Sequence, residues 1–187
     1  YRFSGNNKDT DTSYMIGCLI GNGNFTQGNY IGFTNFDDDI INEFKRCVDS
    51  SGFGEFKERK RAGHFAITFP SAKYGIKNAG YKEFLRIHGL NPVTSHFKEI
   101  PSSILQSSNS ALAAFLSGIF DTDGYVTKRG IEISSVSELL VEQIQVVLLS
   151  YGIVSKRRKK MVKYKNSRIT AWILTIESWN LDLFYHK

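Results

Sequence analysis

The sequence predicts an α+β fold built twice, and three observations carry that prediction: an internal repeat of about 100 residues, a helical apolar stripe present in both copies, and paired alternating strands in the same order. With Phe33 placed over Ile133, Ile40 falls on Leu140, Ile41 on Val141, Phe44 on Ile144, Cys47 on Val147, Val48 on Leu148 and Gly52 on Gly152. Upstream, in a register one residue longer, Gly17 falls on Gly118, Gly23 on Gly124, Phe25 on Val126 and Thr26 on Thr127. Downstream, Phe65, Ile67 and Phe69 are set against Trp172, Leu174 and Ile176.

Each copy reads as helix, two strands, helix, two strands, helix. The first helix, Thr12–Gly21 or Ser110–Thr122, stops at a glycine-rich turn. A short strand, a turn at Gln27-Gly28-Asn29 or Lys128-Arg129-Gly130, and a second strand follow; alternation buries Ile31 and Phe33, or Ile131 and Ile133. Tyr30, Gly32 and Thr34, or Glu132 and Ser134, then point to the other face. The second helix begins at Asp37 or Ser137, whose side-chain oxygens can cap free backbone N–H groups, and stops at Gly52 or Gly152. Second hairpins span about Phe53–Phe69 and Ile153–Ile176. A third helix is expected over Ser71–His88, and a truncated counterpart from Ser178 onward. The expected halves are 1–97 and 109–187, joined by 98–108 within the Pro- and Ser-rich stretch Gly89–Ser108.

Composition narrows the function. The 187 residues are 41% hydrophobic and 22% charged, an ordinary globular balance. The longest nearly apolar stretch, Ala111–Phe120, is far short of a membrane span of about 20 residues. No basic-then-apolar leader starts at Tyr1, and two cysteines make neither a disulfide framework nor a zinc site, so an intracellular setting is expected. The formal charge of +6 points to a polyanionic partner.

That charge recurs at matching places. Lys57, Arg59, Lys60 and Arg61 lie in the first copy's second hairpin; Arg157, Arg158, Lys159, Lys160, Lys163, Lys165 and Arg168 lie in the second's. Two basic ribbons suit duplex DNA, whose major groove admits a two-stranded β-ribbon. The cations, with Lys128 and Arg129, would neutralise phosphates, while Gln27, Asn29, Tyr30, Thr34, Thr127 and Glu132 could meet base edges. Few aromatics interleave with these cations, which favours duplex over single strands.

Small residues at Gly17, Gly21, Ser117 and Gly118 would let the two first helices pack backbone to backbone, bringing Asn22 and Asp123 together at their ends. Acidic oxygens at such a point hold Mg²⁺, which polarises a phosphodiester and acidifies water. A calcium loop starting at Asp121 fails, because Val126 stands where its sharp turn requires glycine.

The segments MIGCLIGNGN (Met15–Asn24) and LSGIFDTDG (Leu116–Gly124) resemble the paired motifs of LAGLIDADG homing endonucleases; the second is the closer match. Lys98-Glu99-Ile100-Pro101 ahead of the second motif is similar to the endonuclease domains embedded in inteins. The resemblance implies two αββαββα halves related by a pseudo-twofold, antiparallel saddle-shaped sheets on DNA, a monomer, and Mg²⁺-dependent cutting of a long asymmetric duplex site. Residue by residue, it makes Asp123 the metal-binding acid of the second motif and Lys98 a lysine beside the scissile phosphate. Asn22 stands where the first motif has its acid, and an amide brings no negative charge to the metal. Binding with weakened or abolished cleavage is therefore expected. The alternatives are a non-cleaving DNA-binding or regulatory module and an RNA maturase. Tyr1 and Lys187 provide neither a splicing nucleophile nor a terminal Asn, so any splicing chemistry would belong to the splicing domain of a parent intein.

Overall fold

The computed structural model describes residues 8–25, 30–59, 61–69, 79–165 and 167–185. Contacts divide the chain into two units, Arg2–Pro92 with Pro101–Thr122, and Val93–Ile100 with Asp123–Lys187.

In the first unit, α1 (Lys8–Asn22) leads into β1 (Gly23–Asn24) and β2 (Tyr30–Thr34), then α2 (Asp38–Ser51), β3 (Glu55–Glu58), β4 (His64–Thr68) and α3 (Ala79–His88). The strands form one antiparallel sheet in the order β1-β2-β4-β3. Asp37 caps α2 as expected, accepting from the N–H groups of Asp39 and Ile40 at 3.0 and 3.3 Å. The helix ends on Gly52 at φ 68°, a left-handed conformation that favours glycine. Cross-strand pairs share a face, so Ile31, Phe33, Phe56, Phe65 and Ile67 line the helix side. There Phe44 of α2 stacks on Phe33 with ring centroids 4.0 Å apart. Phe84 of α3 packs against Phe53 and Phe69. Of the third helix expected over Ser71–His88, residues 71–78 lie outside the described part, as do Gln27, Asn29 and Lys60.

The unit is completed by α4 (Ser102–Leu105) and by α5 (Asn109–Asp123), whose last residue belongs to the second unit. The short α4 lies in a stretch read from its serines and prolines as a plain connection. Both first helices run slightly past their expected ends: α1 continues through Gly21 to Asn22, because burial of its other side chains outweighs the weak helix preference of one glycine.

The second unit repeats the sheet with β5 (Gly124–Thr127), β6 (Gly130–Ser135), α6 (Glu138–Ser150), β7 (Ser155–Tyr164), β8 (Ser167–Glu177) and α7 (Leu181–Tyr185), in the strand order β5-β6-β8-β7. Ser137 caps α6, and Leu140, Val141, Ile144, Val147 and Leu148 of that helix are buried. One alignment needs correction. Ile31 pairs with Ile67 and Ile131 with Ile176, so Ile67 corresponds to Ile176 and Phe65 to Leu174, two residues from the register read in the sequence. A slip of two preserves the inside-outside pattern of a strand, so alternation alone could not detect it. No described helix is long and apolar enough to cross a membrane.

Candidate functional site

Within the first unit, α1 and α5 meet at their glycines. A Cβ on Gly17 would fall on the carbonyl oxygen of Phe115, and one on Gly118 on that of Tyr14. Gly21 and Ser117 are half-buried, and Ser117 turns its hydroxyl back to the carbonyl of Ala113 in its own helix at 3.2 Å. Around the contact, Met15, Ile16, Leu19, Ala114, Phe115 and Ile119 are buried. The Tyr14 hydroxyl donates to Asp121 at 2.8 Å, a bond between the helices that glycine spacing did not reveal. Burial pushes the Tyr14 phenol and the Cys18 thiol far up, so both stay protonated and Cys18 serves as inert packing.

At the ends of these helices, the Asn22 side-chain nitrogen donates to the carbonyl of Thr122 at 3.4 Å. Only the –NH₂ end can face a carbonyl, so the amide oxygen is turned away from Thr122. A cleft of about 580 Å³ opens beside this contact, lined by Asn22, Thr34, Asn35, Phe36, Asp37, Ile40, Asp121 and Thr122.

The residue after Thr122 is Asp123, in the second unit, where it is electrostatically coupled to Lys98. Burial raises the Asp123 pKa above an ordinary aspartate, and the charge of Lys98 offsets part of that rise. Burial likewise lowers Lys98, partly offset by Asp123. Lys98 is set in place by its backbone: its carbonyl accepts from Ser137 Oγ at 2.6 Å, and two residues on, Ile100 N–H donates to Gln143 Oε1 at 2.7 Å. Ser137 thus caps α6 and anchors Lys98 with one hydroxyl. The anchoring of this segment by Ser137 and Gln143 depends on contacts 39 and 43 residues apart, beyond the reach of local pattern.

A stability prediction follows from the Asp123 shift. With its folded pKa raised, ionised Asp123 costs stability above that pKa, and the cost vanishes once both states are protonated, below the unfolded value of about 3.9. Without added metal, Asp123→Asn is therefore expected to raise the urea midpoint at pH 7 and to leave it unchanged near pH 3.

The basic hairpin divides by strand alternation. Arg158 and Lys160 share the open sheet face with Glu132, while Arg157, Lys159 and Lys163 lie on the helix side. Arg157 lies 3.7 and 3.6 Å from Glu138 and Glu142 of α6, and both it and Lys159 lie over the Trp172 ring. Lys163 sits opposite Arg168, and Lys165 is at the hairpin tip with φ 52°. Thr127 donates to Gly130 O and accepts from Arg129 N–H, holding the turn that carries exposed Lys128 and Arg129. Glu132 is buried among neighbours that use its oxygens. In the first unit, Lys57 pairs with Glu55 at 2.6 Å, and Arg61 is exposed. Arg59 lies 4.2 Å over the Tyr30 ring, and Thr34 Oγ1 is 3.0 Å from His64 Nδ1.

The doubled sheet-and-helix order and the glycine-packed helix pair define a LAGLIDADG fold. Residues 110–187 match the family of LAGLIDADG-like domains. Among solved structures, the chain is similar to the homing endonuclease I-DmoI in complex with DNA and Ca, with a TM-score of 0.64 and 16% identity over 96% of this chain and 89% of that one. It is also similar to the N-terminal LAGLIDADG domain of DUF199/WhiA, with a TM-score of 0.58 and 12% identity over 95% and 80%. Two curated relatives come from Methanocaldococcus jannaschii. A replication factor C small subunit is 28% identical over 184 residues, 97% of this chain and 10% of the relative. A glutamine–fructose-6-phosphate aminotransferase is 26% identical over 172 residues, 91% and 15%. The chain thus spans about a tenth to a seventh of these relatives' length.

Proposed function

We propose that this chain is the endonuclease part of an intein, which binds a long asymmetric site in double-stranded DNA as a monomer and retains a metal-dependent phosphodiesterase site weakened by Asn22. The observation that carries the reading is the α1–α5 pair: two glycines in backbone contact, with Asn22 bonded to Thr122 where the helices end; within the other unit, the coupling of Asp123 to Lys98 supports it. One chain supplies both helices, which supports a monomer. The intein reading rests on the relatives. A replication subunit and an aminotransferase share no chemistry, yet each matches nearly this whole chain over a small fraction of its length, as expected of a self-contained insert.

A hard divalent cation such as Mg²⁺ prefers oxygen ligands; the resemblance assigns that role to Asp123, whose carboxylate is such a donor, and to position 22, which here offers an amide oxygen. When bound, the cation would polarise a phosphoryl oxygen and lower the pKa of water. Asp123 must be ionised to hold it, so its raised pKa moves the loss of metal binding to a higher pH than for an ordinary aspartate. Lys98, with its pKa lowered by burial, is suited to exchange a proton with water near the phosphate. Arg158, Lys160, Arg59 and the Lys128–Arg129 turn supply phosphate and base contacts.

Asn22 favours a second reading, a non-cleaving binding module on the LAGLIDADG fold that this chain shares with the N-terminal domain of DUF199/WhiA. The test is to select duplexes from a random library in Ca²⁺, then incubate the enriched sequences with Mg²⁺. Enrichment of one long, asymmetric sequence is expected, with strong preference over structured RNA and at most slow nicking. Failure to enrich any duplex, or tighter binding to RNA, would overturn the DNA reading.

A further inference from the structure

We propose that Glu132 does not read a base but is a positioning residue that holds Arg158 as a fixed reader of one guanine, a specificity role resting on the DNA-binding reading above. The Glu132 side chain is 5% exposed and its two oxygens have three donors. Tyr125 OH and Arg158 Nη2 reach Oε2 at 2.8 and 3.3 Å, and Thr175 Oγ1 reaches Oε1 at 3.1 Å. Arg158, by contrast, is 45% exposed. That bond to a buried carboxylate restrains the direction in which the guanidinium points, and among the described residues no further hydrogen bond holds its other N–H groups.

The fold itself does not require this arrangement. At the matching place on the first sheet, Gly32 pairs with Ala66, whereas Glu132 pairs with Thr175. A buried carboxylate paired with an arginine contributes little to stability compared with apolar packing, so stability does not account for it. Burial works against ionisation of Glu132, but the Tyr125 and Thr175 bonds and the Arg158 charge outweigh it, holding the carboxyl below the ordinary glutamate range.

The pair also chooses between phosphate and base. With Glu132 beside it, Arg158 contributes little net charge, so it attracts a phosphate weakly. Its fixed fork suits the two acceptors of guanine in the major groove, O6 and N7. Lys160, on the same face, remains a phosphate contact.

The test uses the duplex enriched by the whole chain and measures affinity for each single base-pair change, together with the salt dependence of binding to random DNA. The parent protein should prefer G·C at one position by between about 5- and 150-fold. In Glu132→Gln that preference should collapse while random DNA binds more tightly, with a salt slope steeper by about one, because a freed Arg158 now neutralises a phosphate. A purely structural role would weaken selected and random binding together. Arg158→Lys keeps the charge and loses the fork; it should lose the same preference with the slope unchanged, and it decides the matter if Glu132→Gln does not fold. Retention of the preference in either folded variant would overturn the proposal. A parent chain that binds no duplex would overturn the DNA reading and this one with it.

Discussion

Gly118→Ala is expected to destabilise the protein by about 1–3 kcal/mol in urea unfolding, although alanine is the better helix former by about 1 kcal/mol. The added Cβ meets the Tyr14 carbonyl oxygen, with the Cys18 backbone nitrogen at 2.8 Å, so backbone rather than a flexible side chain must move. Gly17→Ala should cost a similar amount against Phe115. The double substitution should cost much less than the sum, because helices already pushed apart by one methyl have room for the other; residues sharing a contact are not additive. A loss of this size is a large share of the 5–15 kcal/mol typical of a domain. Additive losses, or a midpoint unchanged in either single variant, would show that α1 and α5 do not depend on backbone contact.

The second large effect is expected at Asn22. Its amide nitrogen satisfies the Thr122 carbonyl, so in Asn22→Asp a carboxylate oxygen would face that carbonyl oxygen. Without divalent metal this should lower stability by about 1–3 kcal/mol, the usual cost of losing a partner and burying an uncompensated polar group. Mg²⁺ or Ca²⁺ should reverse the loss, because a ligand bound by the folded state alone stabilises it by mass action. The parent protein, with one fewer negative charge there, should show a much smaller shift in melting temperature. Equal metal-induced shifts in the two proteins, or none in Asn22→Asp, would count against residue 22 as part of a cation site.

What could be read from the sequence was whatever local chemistry decides. Asp37 and Ser137 were legible as caps because the cap bonds span two or three residues. The glycine pair was legible because both members fall in matching motifs, which also exposed the duplication. What escaped depends on distant neighbours. Alternation placed Glu132 away from Ile131 and Ile133, but not under Tyr125, Thr175 and Arg158. A run of cations reads as one surface until β7 splits it, sending Arg157 toward α6 and Arg158 to the other face. The β8 register escaped because a two-residue slip keeps the same faces. The anchoring of Lys98 by Ser137 and Gln143 escaped because it joins segments far apart in the chain.

The phosphodiesterase assignment is tested most directly by a cleavage time course on the selected duplex with Mg²⁺, run with the parent protein, Asn22→Asp, and Asn22→Asp combined with Asp123→Asn. The account predicts slow or absent cutting by the parent, cutting at least about 100-fold faster by Asn22→Asp, and loss of that gain in the double variant. An Asn22→Asp protein that folds, binds the duplex and remains inert, or a double variant that cuts as fast as Asn22→Asp, would contradict it.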